Sequence, residues 1–207
     1  MAHDQNKLIL LASVFASSLV ISNIVATKLW VFGVLVVPAG IVAYPITFLM
    51  TDVIGEVWGK RTAAAIVFSG FICSIIALII GKLAVMLPAA VFYEDQMFFA
   101  RMFGTVGRIT VASLAAYVVS QTTDVWLFHW IREKTSGKHL WLRNNVATIV
   151  SQLFDTIIFI VIAFVGQVPA TVLGGMVLGQ WVVKSLLAFL DTPFCYLLVA
   201  WGKRGNK

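Results

Sequence analysis

The sequence predicts an all-α integral membrane protein with six transmembrane helices, forming one domain over residues 1–207. Three observations carry this. First, 60% of residues are hydrophobic and only 12% charged, whereas a soluble domain carries about one quarter charged residues. Second, the mean hydropathy is +0.96. Third, the 207 residues divide into apolar runs that allow about six spans of roughly 20 residues each, joined by short links. The formal charge of +6 could suggest nucleic acid, but the basic residues cluster between apolar runs. That placement sets membrane orientation rather than building a phosphate-binding face. The expected macromolecular environment is therefore a lipid bilayer, without nucleic acid. Cys73 and Cys195 both fall inside apolar runs, so no disulfide or metal site is indicated. The opening MAHDQNK is short, and the apolar run after it has span length without a clear small-residue cleavage site. It reads as a retained helix rather than a signal peptide.

Span 1, about Leu8 to Leu29, carries Ser17, Ser18, Ser22 and Asn23. Small polar residues on membrane helices usually serve packing, but the Asn23 amide offers two donors and an acceptor. A short apolar link, Trp30 to Val37, leads to the stretch Pro38 to Arg61. There, prolines 38 and 45 precede Asp52 and Glu56, which lie four apart and so share one helical face. An acid on a spanning helix costs on the order of 3 kcal/mol unless it meets a partner or a wet cavity. Glu56, about one turn from Lys60 and Arg61, reads as interfacial; Asp52 reads as intramembrane. Span 3, about Thr62 to Leu87, is nearly all apolar with Gly70, Ser74 and Gly81, a scaffold helix whose Lys82 snorkels to the interface.

The link Pro88 to Ala100 is acidic through Glu94 and Asp95. Span 4, about Met102 to Ile131, begins with Arg108 and later carries Gln121 and Asp124 on one face. After the basic loop REKTSGKHLWLR comes span 5, about Asn144 to Val165, with Ser151, Gln152 and Asp155. Span 6, about Val172 to Trp201, has Gln180, Lys184 and Asp191. Seven residues make nearly two turns, so Lys184 and Asp191 share a face about 10 Å apart. Pro193 removes a helical hydrogen bond and predicts a kink.

Lys60 and Arg61, then Arg132, Lys134, Lys138 and Arg143, then the tail Lys203, Arg204 and Lys207 all fall on the side of the N-terminus if there are six spans. Both termini are therefore expected in the cytoplasm. Away from the interfaces one polar set remains: Asn23, Asp52, Arg108, Gln121, Asp124, Gln152, Asp155, Lys184 and Asp191. Some of these can neutralise one another as packing contacts, as Lys184 could with Asp155. The set as a whole holds more deep acids than deep bases, and added amides make it acceptor-rich. Such a cavity suits a solute rich in hydrogen-bond donors, cationic or neutral. The aromatics Trp30, Phe48, Phe128 and Trp181 are mostly assigned to lipid and interface, with a minority left for stacking.

No HExxH, GxSxG, Cys–His pair within one span or Gly-rich phosphate loop occurs. His129 and His139 read as solvated residues of the basic interface. Neither an enzyme nor a cofactor is expected; the residues alone describe a small six-helix carrier.

SN at 22–23, ATKL at 26–29, PAGIVAYPITFLMTDVIGEVWGKR, RITVASLAAYVVSQTTDVWLFHWIRE, SQLFDTIIFIVIAF and VVKSLLAFLDTPFCY together resemble the queuosine precursor transporter family, also called the VUT family. The resemblance runs from about Asn23 to Trp201. It implies import of 7-cyano-7-deazaguanine and 7-aminomethyl-7-deazaguanine across the inner (cytoplasmic) membrane for tRNA queuosine salvage. It also implies a six-helix fold similar to the substrate-binding subunits of energy-coupling-factor importers. The family's polar motif positions fall on Asn23, Thr51, Asp52, Arg108, Gln121, Asp124, Gln152, Asp155, Lys184 and Asp191. The alternative function is a substrate-binding subunit of a multi-component vitamin or nucleobase importer. A homo-oligomer is compatible with the sequence, and the preferred base and the energy coupling are left open by it.

Overall fold

The computed structural model describes residues 2–33, 35–134 and 140–203. Lys138, His139, Arg204 and Lys207 lie outside the described residues, as do the side chains of Phe128, His129, Arg132, Arg143 and Asp191. Among the described residues there are six α-helices: α1 (Ala2–Val25), α2 (Tyr44–Trp58), α3 (Lys60–Met86), α4 (Gln96–Lys134), α5 (Leu140–Phe164) and α6 (Ala170–Lys203). The protein is thus an all-α membrane protein. Five stretches are long and apolar enough to cross a bilayer, within residues 5–25, 39–58, 60–86, 96–127 and 170–187. The apolar part of α5 is shorter, Thr148–Phe164, because Arg143, Asn144 and Asn145 occupy its first turns. Ile76, Ile79, Ile80 and Leu83 on α3 remain exposed, as expected of a helix whose outer face meets lipid tails rather than water.

Two connections differ from the expected links. In place of the first link there are two paired strands, β1 (Leu29–Phe32) and β2 (Leu35–Pro38). Their Trp, Val and Phe side chains favour extended backbone, and Gly33 supplies the positive φ (61°) that a tight hairpin turn needs. A 3-10 turn over Ala39–Ala43 then leads into α2, whose second residue is Pro45, a position where no helical N–H is lost. The basic pair Lys60 and Arg61 was expected in a link but opens α3 instead. Gly59 alone joins α2 to α3, with φ 90° and ψ 159°, a conformation glycine adopts without a Cβ clash.

The chain forms two compact units. The first comprises residues 1–30, 38–107 and 186–207, and the second comprises 31–37 and 108–185. In the first unit α1 packs on α2, α3 and the 3-10 turn. The α3 backbone there approaches α4 closely. A Cβ built on Gly81 would lie 2.0 Å from Cε1 of Phe103, so the ring occupies the space that any other residue would fill. Close approach at small residues is the ordinary means of packing membrane helices, where burial of apolar area gives no net drive. At one end, Lys7 is buried and donates to the carbonyl of Trp201 (2.8 Å), with its ammonium 4.9 Å from the Trp201 ring centroid. Lys203 and Glu56 form an exposed ion pair at 3.0 Å.

The second unit contains most of α4, all of α5, the first part of α6 and the hairpin residues 31–37. A five-residue connection, 165–169, joins α5 to α6. Here β2 presses on α6 at Gly179, where a Cβ would meet Leu35 Cβ at 3.0 Å. That contact covers α6 beside Gln180, which follows Gly179 directly.

Candidate functional site

The polar side chains of the second unit come from facing sides of α4, α5 and α6. On α5, Ser151, Gln152, Asp155 and Thr156 occupy consecutive turns, and on α6 Gln180 and Lys184 lie four apart. That spacing stacks each set along one side of its helix. Periodicity alone thus places them; tertiary packing turns them toward one another.

Its centre is an ion pair. Lys184 Nζ lies 2.6 Å from Asp155 Oδ2, with the two side chains 2% and 19% exposed. An ammonium in so dry a place is tolerated only beside a negative charge. Asp155 is the less enclosed partner, and its carboxylate has room for further donors beyond the lysine. On the α4 side, Ser151 Oγ is 3.2 Å from Asp124 Oδ1 and 3.0 Å from the Thr148 carbonyl. One hydroxyl proton serves one acceptor at a time, so Asp124 receives at most a shared hydrogen bond from it. Ser120 Oγ donates to the Ser151 carbonyl at 3.1 Å, and Thr156 Oγ1 to the Gln152 carbonyl at 2.8 Å. The first of these bonds ties α4 to α5, and the second stays within α5.

Two amide oxygens here accept nothing. Gln152 Oε1 and Gln180 Oε1 are buried without a hydrogen-bond partner, and Gln180 is among the most enclosed side chains of the described residues at 1% exposure. Each lies one turn from a member of the ion pair, Gln152 from Asp155 and Gln180 from Lys184. A buried acceptor left unpaired costs about 1–3 kcal/mol, so most buried polar atoms have partners. Among the described residues, two carboxyl groups, one ammonium and two idle carbonyl oxygens make this cluster acceptor-rich.

The other expected site residues are placed differently. Arg108, at the start of the second unit, donates through Nε to the Ile162 carbonyl (2.6 Å) and through Nη2 to the Val165 carbonyl. The first is a carbonyl of the last turn of α5, which lacks an intrahelical donor, and the second belongs to the residue just past it, so the guanidinium caps this end as cations do at helix C-termini. The capped end lies seven residues beyond Asp155, about 10 Å along the helix. Gln121 is exposed, while Asp124 is only partly so. Asn23 and Asp52 belong to the first unit. There the buried Asn23 donates through Nδ2 to Ser74 Oγ at 3.3 Å, and Ser74 in turn bonds the Gly70 carbonyl at 3.1 Å. The α3 scaffold therefore contributes a polar partner that its sequence only hinted at. Asp52 is exposed. Thr51 donates to the Thr47 and Phe48 carbonyls of its own helix. Gln180 and Ser120 were not among the expected site residues. The spacing of Gln180 from Lys184 was the available signal for the first, and Ser120 had none. Among the described residues no group of His, Cys, Asp and Glu is arranged to hold a metal ion.

Comparison with known proteins gives concordant matches. The family model described as "Putative vitamin uptake transporter" matches residues 38–198. A Bacillus subtilis protein named "Probable queuosine precursor transporter" is 34% identical over 158 residues, 76% of this chain and 69% of that protein. The Escherichia coli "Queuosine precursor transporter" is 31% identical over 60% of this chain and 54% of its own length. A Haemophilus influenzae protein carrying the same name as the Bacillus one is 30% identical over 60% of this chain and 51% of its own length. The matches to the last two thus span about half of each relative. No solved structure matches the chain.

Proposed function

Because the chain belongs to this vitamin uptake transporter family, and is accordingly a membrane transporter rather than an enzyme, we propose that it imports 7-deazaguanine precursors of queuosine. The proposed cargo is 7-cyano-7-deazaguanine, 7-aminomethyl-7-deazaguanine or both, taken across the cytoplasmic membrane with both chain termini on the cytoplasmic side. The names of the relatives support the cargo class, and the Lys and Arg distribution supports the orientation.

The observation that carries the reading is the acceptor surplus around the Lys184–Asp155 pair. A deazaguanine presents N1–H and a 2-amino group side by side, which one carboxylate accepts in a bidentate manner. Asp155 is assigned that edge, with Asp124 as the second acid that favours the aminomethyl cation. Lys184 is assigned the role of counter-ion that fixes the Asp155 carboxylate in place. Gln152 completes recognition beside Asp155. Gln121, Asn23, Asp52 and Asp191 stay as proposed contributors, as members of the intramembrane polar set that the resemblance also marks.

The test is uptake of radiolabelled 7-aminomethyl-7-deazaguanine into liposomes containing only the purified chain. Wild-type protein accumulates it, and Asp155→Asn loses uptake while eluting as folded protein. Wild-type liposomes that stay empty until an ATPase module is added would replace this reading with that of a substrate-binding subunit. Near-normal uptake by Asp155→Asn would remove Asp155 from the site.

A further inference from the structure

The heterocycle of a deazaguanine free base carries four N–H hydrogens on its ring and 2-amino group: N1–H, two on the 2-amino group, and the pyrrole N9–H. A bidentate carboxylate takes N1–H and one amino hydrogen, leaving two donors. The second unit has two buried acceptors without donors, Gln152 Oε1 and Gln180 Oε1. Gln152 sits one turn from Asp155 on the same helix, beside the edge that Asp155 would hold, so it matches the second amino hydrogen. Gln180 lies on α6, one turn from Lys184, buried and without a donor of its own. It matches a donor on a different edge of the ring.

From this matching, which rests on the proposed cargo class, we infer that Gln180 is a specificity-determining residue that reads the pyrrole N9–H and so selects free bases over N9-substituted ones. N9 is the position that bears ribose in a nucleoside. Substitution there removes the donor and adds bulk against a side chain that is 1% exposed. The rejection is then twofold: the Gln180 carbonyl stays unpaired, and the substituent adds bulk beside a side chain that is already enclosed. A site built to bond a particular N–H discriminates against analogues lacking it more sharply than an apolar pocket discriminates by size.

The test is a binding titration of the purified full chain in detergent with 7-aminomethyl-7-deazaguanine and its N9-methyl derivative. Wild-type protein is expected to bind the free base at least tenfold more tightly, and up to about 100-fold, the range of one hydrogen bond whose buried acceptor is then left unpaired. Gln180→Met keeps the side-chain length and removes the acceptor. It is expected to bind the free base about tenfold more weakly than wild type and to reduce the preference over the N9-methyl base to a few-fold, while melting no lower than wild type. Equal wild-type affinity for the two bases overturns the inference without any variant being needed. So does a Gln180→Met protein that keeps the wild-type preference. Wild-type protein that binds neither of these bases nor 7-cyano-7-deazaguanine overturns the cargo reading itself, and the inference with it.

Discussion

Removing Lys184 alone and removing it together with Asp155 should have opposite consequences for stability and the same consequence for function. At 2.6 Å between Nζ and Oδ2 and an effective dielectric constant of about 20, the gross attraction is ~6 kcal/mol. Desolvating the two ions costs several kcal/mol each, so the intact pair contributes little net stability. Breaking it is another matter. Lys184→Met leaves Asp155, four-fifths enclosed with a side-chain exposure of 19%, without its counter-charge, which costs about 3–5 kcal/mol. On the scale for chains of 150–250 residues, where 1 kcal/mol moves the melting midpoint by about 2–4 °C, that is roughly 6–20 °C. The double variant Lys184→Met with Asp155→Leu removes both charges, and an apolar pair of similar volume restores most of the loss or exceeds wild type. Melting of the purified proteins in detergent reads the stability. Titration with 7-aminomethyl-7-deazaguanine reads the function, which both variants lose. The reasoning fails in two ways. A single variant within about 1 kcal/mol of wild type would mean that the pair is not a dry interior contact. A double variant that still binds the base would mean that the pair only holds helices together.

Two further outcomes separate scaffold from site. Arg108→Leu removes the donors to the Ile162 and Val165 carbonyls and should lower stability by about 1.5–3 kcal/mol, the range for a hydrogen bond to a charged group. Measured by the same melting assay, it should leave the ratio of affinities among bases unchanged; a changed ratio would bring Arg108 into the site. Gly81→Ala places a methyl 2.0 Å from the Phe103 ring and should cost about 1–3 kcal/mol by overpacking. Adding Phe103→Leu should return part of that loss, and a double variant no better than Gly81→Ala would locate the crowding elsewhere.

The chemistry of the cluster and its wiring come from different levels. Sequence alone determined the class, because an apolar majority and long uncharged runs leave few ways to satisfy backbone groups in lipid except helices. It also determined which polar residues share a helix face, since three- and four-residue spacing is a local property; Gln152 with Asp155 and Gln180 with Lys184 are pairings of that kind. The hairpin at Leu29–Pro38 was hidden because a short apolar run carries no periodicity to separate strand from link. Arg108 reads from sequence as one of the intramembrane polar set, and its use on the carbonyls at the end of α5 becomes visible only when α4 meets that end. The sequence offered Lys184 with Asp155 as one possible pairing without fixing it; the structure sets Asp155 against the ammonium and Asp124 against a shared serine proton. The idle oxygen of Gln180 is likewise a tertiary fact, since the absence of a partner depends on every neighbour that could have supplied one. Helices and their polar faces follow from residues close in the chain. Partners across helices depend on packing between segments far apart in it, and in this protein that packing decided which acid is held and which acceptors are left open.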